Sequence, residues 1–311
     1  MSDRPQPVSH SASRAERIAA VGYDYGARET EPVTACNLCG STELVELSRC
    51  DRYGYPAPLW LCRRCGLGFL SPRLTAAEYG AFYEDVYRPL VSAFHGRRID
   101  AETVQDDQVA YAAELVELLR ETLDGPPATV IDVGGSTGVV SGAVRDAFGS
   151  AVTVLDPAPD ELEVAAAAGM ETILGFAEDF DALLPGMGER RWDLVLLCQT
   201  IDHLLDVRGT LEAMRRMTAV DGRAFVDVLD LLIATVKQGT VEGAAKIDHP
   251  YYLTHDTAIA AFRLTGFEPV AERLSADGHW GFVLAPGEPR EPDWDELGRG
   301  AAAMIDELRV A

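Results

Sequence analysis

The stretch TVIDVGGSTGVVSGAVRDAFG, residues 129–149, constrains this chain more than any other. Five mostly apolar, β-branched residues end at a glycine cluster, and a helix-spaced run follows. That order of strand, turn and helix opens a parallel α/β sheet. In such a sheet ligands sit at the carboxyl ends of the strands, and the first strand-to-helix turn is the usual cradle. The glycine spacing limits what the cradle admits. A dinucleotide site needs glycines at the first, third and sixth positions, where backbone approaches a pyrophosphate. Counted from Gly134, those positions hold Gly134, Ser136 and Val139, so the fingerprint fails. No Gly-Lys-Ser/Thr follows, which removes a P-loop as well.

What remains is Asp132, then Gly134, Gly135, Ser136 and Gly138, with Asp156 in VLDPAP on the next strand end. A carboxylate there is placed to accept hydrogen bonds from two ribose hydroxyls. The glycines let backbone pass close to an uncharged or zwitterionic ligand. Beyond Pro127 strand and helix alternate, as in a doubly wound sheet. The pattern predicts strands over 129–133, 151–155, 171–174, 193–198, 224–229, 267–274 and 280–284, and helices that include 160–168, 209–218 and 254–265. Only SADG separates the last two strands, which demands an antiparallel hairpin at the end of the sheet.

Upstream, residues 1–31 are rich in Ser, Arg, Pro and Ala without sustained periodicity and read as a mobile tail with at most one short helix. Residues 32–74 carry two Cys-x-x-Cys turns, Cys36 with Cys39 and Cys62 with Cys65, each followed by glycine. Four thiolates so spaced match the tetrahedral cage of a structural zinc, in a zinc ribbon. A redox pair is the alternative. With all four ligands from protein, the metal has no open position, so it stabilises the fold and does not catalyse. Residues 75–125 read as a helical connector or lid. Its aromatics Tyr79, Phe82, Tyr83, Tyr87 and Phe94 either roof an active site or pack the ribbon against the main body, residues 126–311.

Charge narrows the partners. The 27 basic and 50 acidic residues leave a formal net charge of -23, which repels nucleic acid and anionic membrane surfaces. No run is apolar enough for a span or a signal-peptide core, so the expected location is cytoplasmic. The expected partner is a small-molecule substrate, and the sequence carries no signal for an oligomeric state.

The order VIDVGGSTG, VLDPAP, GFAEDF, WDLVLLCQTIDHLLD and DGRAFVDV resembles the class I S-adenosylmethionine-dependent methyltransferases. The resemblance implies an α/β fold with a Rossmann-like seven-stranded sheet whose last strand is antiparallel. It also implies that residues 126–311 bind S-adenosylmethionine. By resemblance, Asp132 and the turn Gly134, Gly135, Ser136 and Gly138 lie against the methionine part, and Asp156 against the ribose. Glu178 and Asp179 would fall near the adenine, and Gln199 and Thr200 under the sulfonium. Ser136 stands where the family usually has its central glycine, and Phe176 where many members have an adenine-binding aspartate. The ribbon followed by this domain, with KIDHPYYLTHDTAIAAFRLTGFEPV, is similar to bacterial C-methyltransferases of nucleotide-linked deoxysugars and related natural-product enzymes. Those sugar enzymes continue into a further C-terminal domain, whereas this sequence stops at Ala311.

Methyl transfer is an in-line displacement at a sulfonium carbon, so the acceptor must be aligned and a proton removed. A base near neutral pH is most readily His. His249, beside Asp248, Tyr251 and Tyr252 in the insertion between the fifth and sixth strands, is the first candidate. His203 follows the fourth strand, and Tyr251 or Tyr252 would donate to or deprotonate a hydroxyl. His279 lies in the final hairpin turn. The expected activity is methyl transfer to a small polar metabolite, a sugar nucleotide or a natural-product intermediate, at carbon, oxygen or nitrogen. The alternatives are a noncatalytic donor-binding partner protein and a nicotinamide oxidoreductase, the latter disfavoured by the failed glycine fingerprint.

Overall fold

The computed structural model describes residues 12–99, 101–179 and 190–309, apart from the side chains of 101–107. Within the segment expected as a tail, residues 1–11 lie outside the described residues, and the remainder packs on the body. Helix α1 (Arg14–Ala20) starts from a Ser13/Glu16 capping box and buries Ile18. Arg17 donates to the carbonyl of Ala93 at 2.8 Å, and Tyr25 is buried. Strand β1 (Thr30–Glu31) pairs antiparallel with a strand 42 residues on, over Arg73–Leu74. These anchors are long-range, which is why local periodicity did not reveal them.

The first Cys-x-x-Cys turn precedes β2 (Leu44–Ser48) and the second joins β3 (Leu59–Cys62) to β4 (Gly68–Leu70); the three strands form an antiparallel meander before β5 (Arg73–Leu74). Helices α2 (Ala76–Asp85), α3 (Tyr87–His95) and α4 (Ala101–Thr122) follow. Thr75 caps α2 by accepting from the Glu78 amide, and Gly96 ends α3 in the left-handed region.

The main body is the alternating unit β6 (Thr129–Val133), α5 (Val139–Phe148), β7 (Ala151–Asp156), α6 (Pro159–Ala167), β8 (Glu171–Leu174), β9 (Trp192–Leu197), α7 (Val207–Met217) and β10 (Thr218–Leu229). Next come α8 (Leu231–Gln238), α9 (Val241–Ala244), β11 (Tyr251–Tyr252), α10 (His255–Leu264), β12 (Phe267–Leu274), β13 (His279–Pro286) and α11 (Trp294–Leu308). Seven strands form one sheet in the order β12, β13, β10, β9, β6, β7, β8. Six run parallel, and β13 is antiparallel to both of its neighbours. Helices cover both faces of the central strands, so β6 and β9 are buried almost end to end and read as continuous apolar runs. Among the described residues no helix is long and apolar enough to cross a membrane.

The ribbon is built into this body. Strand β11 from the insertion after β10 pairs with β4 through Tyr251–Phe69 and Tyr252–Gly68, completing a four-stranded sheet. Leu38, Leu67 and Phe69 share one apolar cluster with Leu204, Tyr251 and Phe262. Each such side chain, fully buried, contributes about 1.5–3 kcal/mol, so the joint is a core and not a tether.

Candidate active site

The glycine turn leaves the carboxyl end of β6. Gly134 adopts φ 72°, and its amide reaches the Leu155 carbonyl at 2.7 Å. A Cβ on Gly135 would stand 2.7 Å from the Asp132 carboxylate, so only glycine lets the chain lie over that acid. Ser136 meets the demand of a glycine position by taking the left-handed φ of 52° itself. Its amide donates to Oδ2 of Asp156 at 2.9 Å, and Oδ1 of Asp156 accepts from Ala158 at 2.9 Å. Asp156, last in β7, therefore braces the turn, and burial raises its pKa against those two amides. Gly138, at φ 75°, starts α5.

Asp132 lies beneath this turn with 1% of its surface exposed. Neither carboxylate oxygen has a hydrogen-bond partner of ordinary geometry. Burial pushes its pKa up to about 7, while the amide and hydroxyl of Ser141 pull it down. A buried carboxyl without a partner is costly, and this one lines a cavity of about 370 Å³.

The opposite wall begins where β9 ends. Gln199 is also left-handed, at φ 52°. Its amide donates to Asp227, which accepts the Tyr111 hydroxyl on its other oxygen at 3.0 Å. His279 Nδ1 stands 3.7 Å from the same carboxylate. Burial works against its protonation, but Asp227 raises its pKa overall. Thr200 donates to the Cys198 carbonyl at 2.8 Å. Gln199, Thr200 and His279 all line the cavity.

Beyond them lies an acid–base cluster. Nδ1 of His249 is 2.8 Å from Oδ2 of Asp202, in a direction off the ring N–H axis. Its Nε2 faces Nζ of Lys246 at 3.0 Å, with the Asp248 carboxylate at 3.5 Å. Burial, aided by the Lys246 charge, pushes the His249 imidazole down to about 4, with Asp202 pulling the other way. Burial disfavours ionised Asp202, yet the charges of His249, His203 and Lys246 hold its carboxyl far below the usual range. Asp248 moves in the same direction against its own burial, and burial lowers the Lys246 amine. His203 packs edge to face on His249, with ring centres 4.6 Å apart. Its Nδ1 meets the Asp248 carbonyl at 2.8 Å and the Tyr83 hydroxyl at 2.7 Å. A carbonyl accepts only, so Nδ1 is the donor in that contact.

The ribbon holds this cluster in place. Asp51, 2% exposed, accepts the amides of Tyr53 and Tyr55 on Oδ1 and that of Ile247 on Oδ2, at 2.9, 3.0 and 3.0 Å. Arg52 binds the Ala245 and Gly243 carbonyls, and Leu70 binds that of Pro250. Residues 245–250 are thus held by the ribbon, from Asp51 and Arg52 between the cysteine pairs and from Leu70 after the second pair.

The structure therefore brings Asp132, Gly134, Gly135, Ser136, Gln199, Thr200, His203 and His249 to one cavity. Asp156 stands behind the turn. Tyr251 and Tyr252 do not line the cavity. The Tyr251 hydroxyl is spent on the Leu205 carbonyl and Arg73, and that of Tyr252 on the backbone of Lys246. Glu178 and Asp179 sit exposed in a short turn after β8, with Glu178 accepting the Leu205 amide. Of the connector aromatics, Tyr87 lines the cavity and Tyr83 bonds His203, whereas Tyr79, Phe82 and Phe94 are packed inside. Sequence reasoning missed Lys246, Asp202, Asp227 and Asp51. Lys246 carried a signal, being one of only two lysines in a chain with 27 basic residues.

In the ribbon, the four Sγ atoms of Cys36, Cys39, Cys62 and Cys65 lie within 4.8 Å of one another. The Cys36–Cys65 and Cys39–Cys62 separations are both 3.5 Å. These are far beyond a disulfide bond, and close to the ~3.8 Å that tetrahedral thiolates at about 2.3 Å from zinc require.

A family profile described as a methyltransferase domain matches residues 104–272, just over half of the chain. Three solved structures share its outline. A protein from Pyrococcus horikoshii OT3 is 18% identical, with 57% of this chain and 90% of that one covered and a TM-score of 0.48. An O-methyltransferase family protein from Burkholderia thailandensis is 15% identical over 68% and 64%, with a TM-score of 0.49. Magnesium protoporphyrin IX methyltransferase from Synechocystis PCC 6803, with S-adenosylhomocysteine bound, is 12% identical over 60% and 87%, with a TM-score of 0.47. No curated protein sequence matches the chain.

Proposed function

The chain belongs to the methyltransferase-domain family and is an S-adenosylmethionine-dependent methyltransferase, and from that premise we propose that it methylates a small polar metabolite of the sugar-nucleotide or natural-product kind. The observation that carries the reading is that one cavity has two chemically distinct ends. At one end an unpartnered buried acid, Asp132, lies under a turn that tolerates no Cβ at Gly135. At the other, His203, His249 and Lys246 crowd between two carboxylates.

The donor end fits S-adenosylmethionine. Asp132 is the partner an ammonium group lacks in an otherwise neutral turn, and the glycines let the backbone of residues 134–138 pass close to the rest of the amino-acid part. Asp156 keeps lone pairs for ribose hydroxyls beyond the two amides it already accepts. Gln199 and Thr200 form the floor beneath the sulfonium. The donor supplies an electrophilic methyl group. The protein's own contribution is to align the acceptor with that methyl and take its proton, a role we assign to the cluster of His203, His249 and Lys246. We assign the four cysteines to a structural zinc, which would tie the two knuckles of the ribbon and so brace the loop that carries His249.

Calorimetric titration with S-adenosylhomocysteine and, separately, NADH tests the reading. The first binds and the second is silent. Methyl transfer is then followed with labelled donor over a panel of keto- and hydroxy-sugars, their nucleotide conjugates and small phenols. Tight donor-product binding without transfer to any of them would refute the substrate class, and NADH binding in its place would refute the donor site.

A further inference from the structure

Resting on that reading, we propose that Lys246 is the group that takes the acceptor's proton, with His249 and Asp202 standing behind it to orient the amine. The geometry of His249 points this way. Its Nε2 faces Lys246 at 3.0 Å, and Asp202, 2.8 Å from Nδ1 though off its N–H axis, closes the approach to that nitrogen, so neither ring nitrogen is open to a substrate. Lys246 lines the cavity itself. Asp202, His249 and Lys246 form a carboxylate–imidazole–amine chain with the amine in the outermost place, on the cavity.

Residue choice supports this. The chain has two lysines and 25 arginines. Arginine cannot give up its proton, whereas a buried lysine does so readily. One lysine, Lys237, is a surface residue bonded to the Ala276 carbonyl. The other stands where a base is needed. The groups that face it are Asp248 and His249 on its own loop, Asp202 and His203 after β9, Arg52 from the ribbon and Arg88 across the cavity.

The Lys246 ammonium gives up a proton to water while its Nζ stays against Nε2 of His249. The free amine removes the acceptor's proton. The electron pair of that broken bond forms the bond to the methyl carbon, and the carbon–sulfur bond breaks onto sulfur, leaving a neutral thioether. One proton per turnover thus passes from the acceptor through Lys246 to water.

The test uses the full chain grown on lysine carrying carbon-13 at Cε, whose two lysine resonances are told apart with Lys237→Arg. With S-adenosylhomocysteine bound, Lys246 is expected to lose its proton at a lower hydroxide concentration than Lys237 does, as burial requires. In methyl transfer to the best acceptor of the panel, Lys246→Arg is expected to lose ~10²–10⁴-fold in turnover with donor-product affinity retained. Methylamine in the medium is expected to restore part of the turnover of Lys246→Ala. The proposal is overturned if the two lysines titrate together, or if Lys246→Arg keeps more than about a tenth of wild-type turnover while His203→Asn loses it. Loss of calorimetric binding in the unaltered protein would instead strike the donor site, and the titration decides alone where no panel acceptor turns over.

Discussion

Binding of the donor product should release a proton, and Asp132 sets how much. In the free protein this carboxyl is buried, unpartnered and raised to about 7, so it is about half protonated at pH 7. An ammonium placed against it lowers its pKa by roughly 1–3. Binding S-adenosylhomocysteine is then expected to release about 0.5 proton at pH 7, about 0.8 at pH 6 and about 0.1 at pH 8. Calorimetry in buffers of different ionisation enthalpy reads the number directly, as the slope of observed heat against buffer heat. Asp132→Asn should flatten that slope and weaken binding. A slope indistinguishable from zero at pH 6 in the unaltered protein, or one that survives in Asp132→Asn, would refute the role of Asp132. The same shift has a stability consequence. The unfolded chain ionises Asp132 near its ordinary value while the folded chain resists, so the ligand-free fold loses stability as pH rises from about 4 to 7. The loss is on the order of 3–5 kcal/mol, and bound donor product should cut it by about 1–4 kcal/mol.

Other perturbations reach different parts of the molecule. Cys62→Ser removes one of four thiolates spaced for tetrahedral zinc; metal analysis should fall from about one zinc per chain to a small fraction, with a marked drop in thermal midpoint, and an unchanged midpoint would show that no metal braces the ribbon. Asp51→Asn turns an amide NH₂ toward one of three buried N–H groups. It should cost about 1–3 kcal/mol in urea unfolding and speed hydrogen exchange at 245–249 ahead of the glycine turn; uniform acceleration across the chain would argue against a specific grip on that loop. Ser136→Gly should leave stability within about 1 kcal/mol, because relief of a left-handed φ offsets the added freedom of the unfolded chain. Its amide still reaches Asp156, so a large loss of donor-product affinity would mean that the Ser136 hydroxyl itself contributes.

How much of this was legible beforehand follows from the distance over which each feature is encoded. Strand and helix periods, the failed dinucleotide spacing, the paired Cys-x-x-Cys turns and the four-residue link that makes β12 and β13 antiparallel all depend on near neighbours, and the sequence by itself determined them. It also determined that an acid would end β7, because that residue follows directly from the strand pattern. The tertiary structure decided the rest. Insertion of β13 between β10 and β12, the addition of β11 to the ribbon, and the packing of residues 12–31 on the body are pairings between distant segments. The acid–base cluster joins Tyr83, Asp202, His203, Lys246 and His249 from three separate stretches of chain, with Asp51 fixing the loop from a fourth. Tyr251 and Tyr252, adjacent in sequence to His249, point elsewhere because β11 turns them into the ribbon's sheet. A side chain's chemistry is written in the sequence, but its proton affinity depends on which charges and how much water surround it, and folding alone sets those.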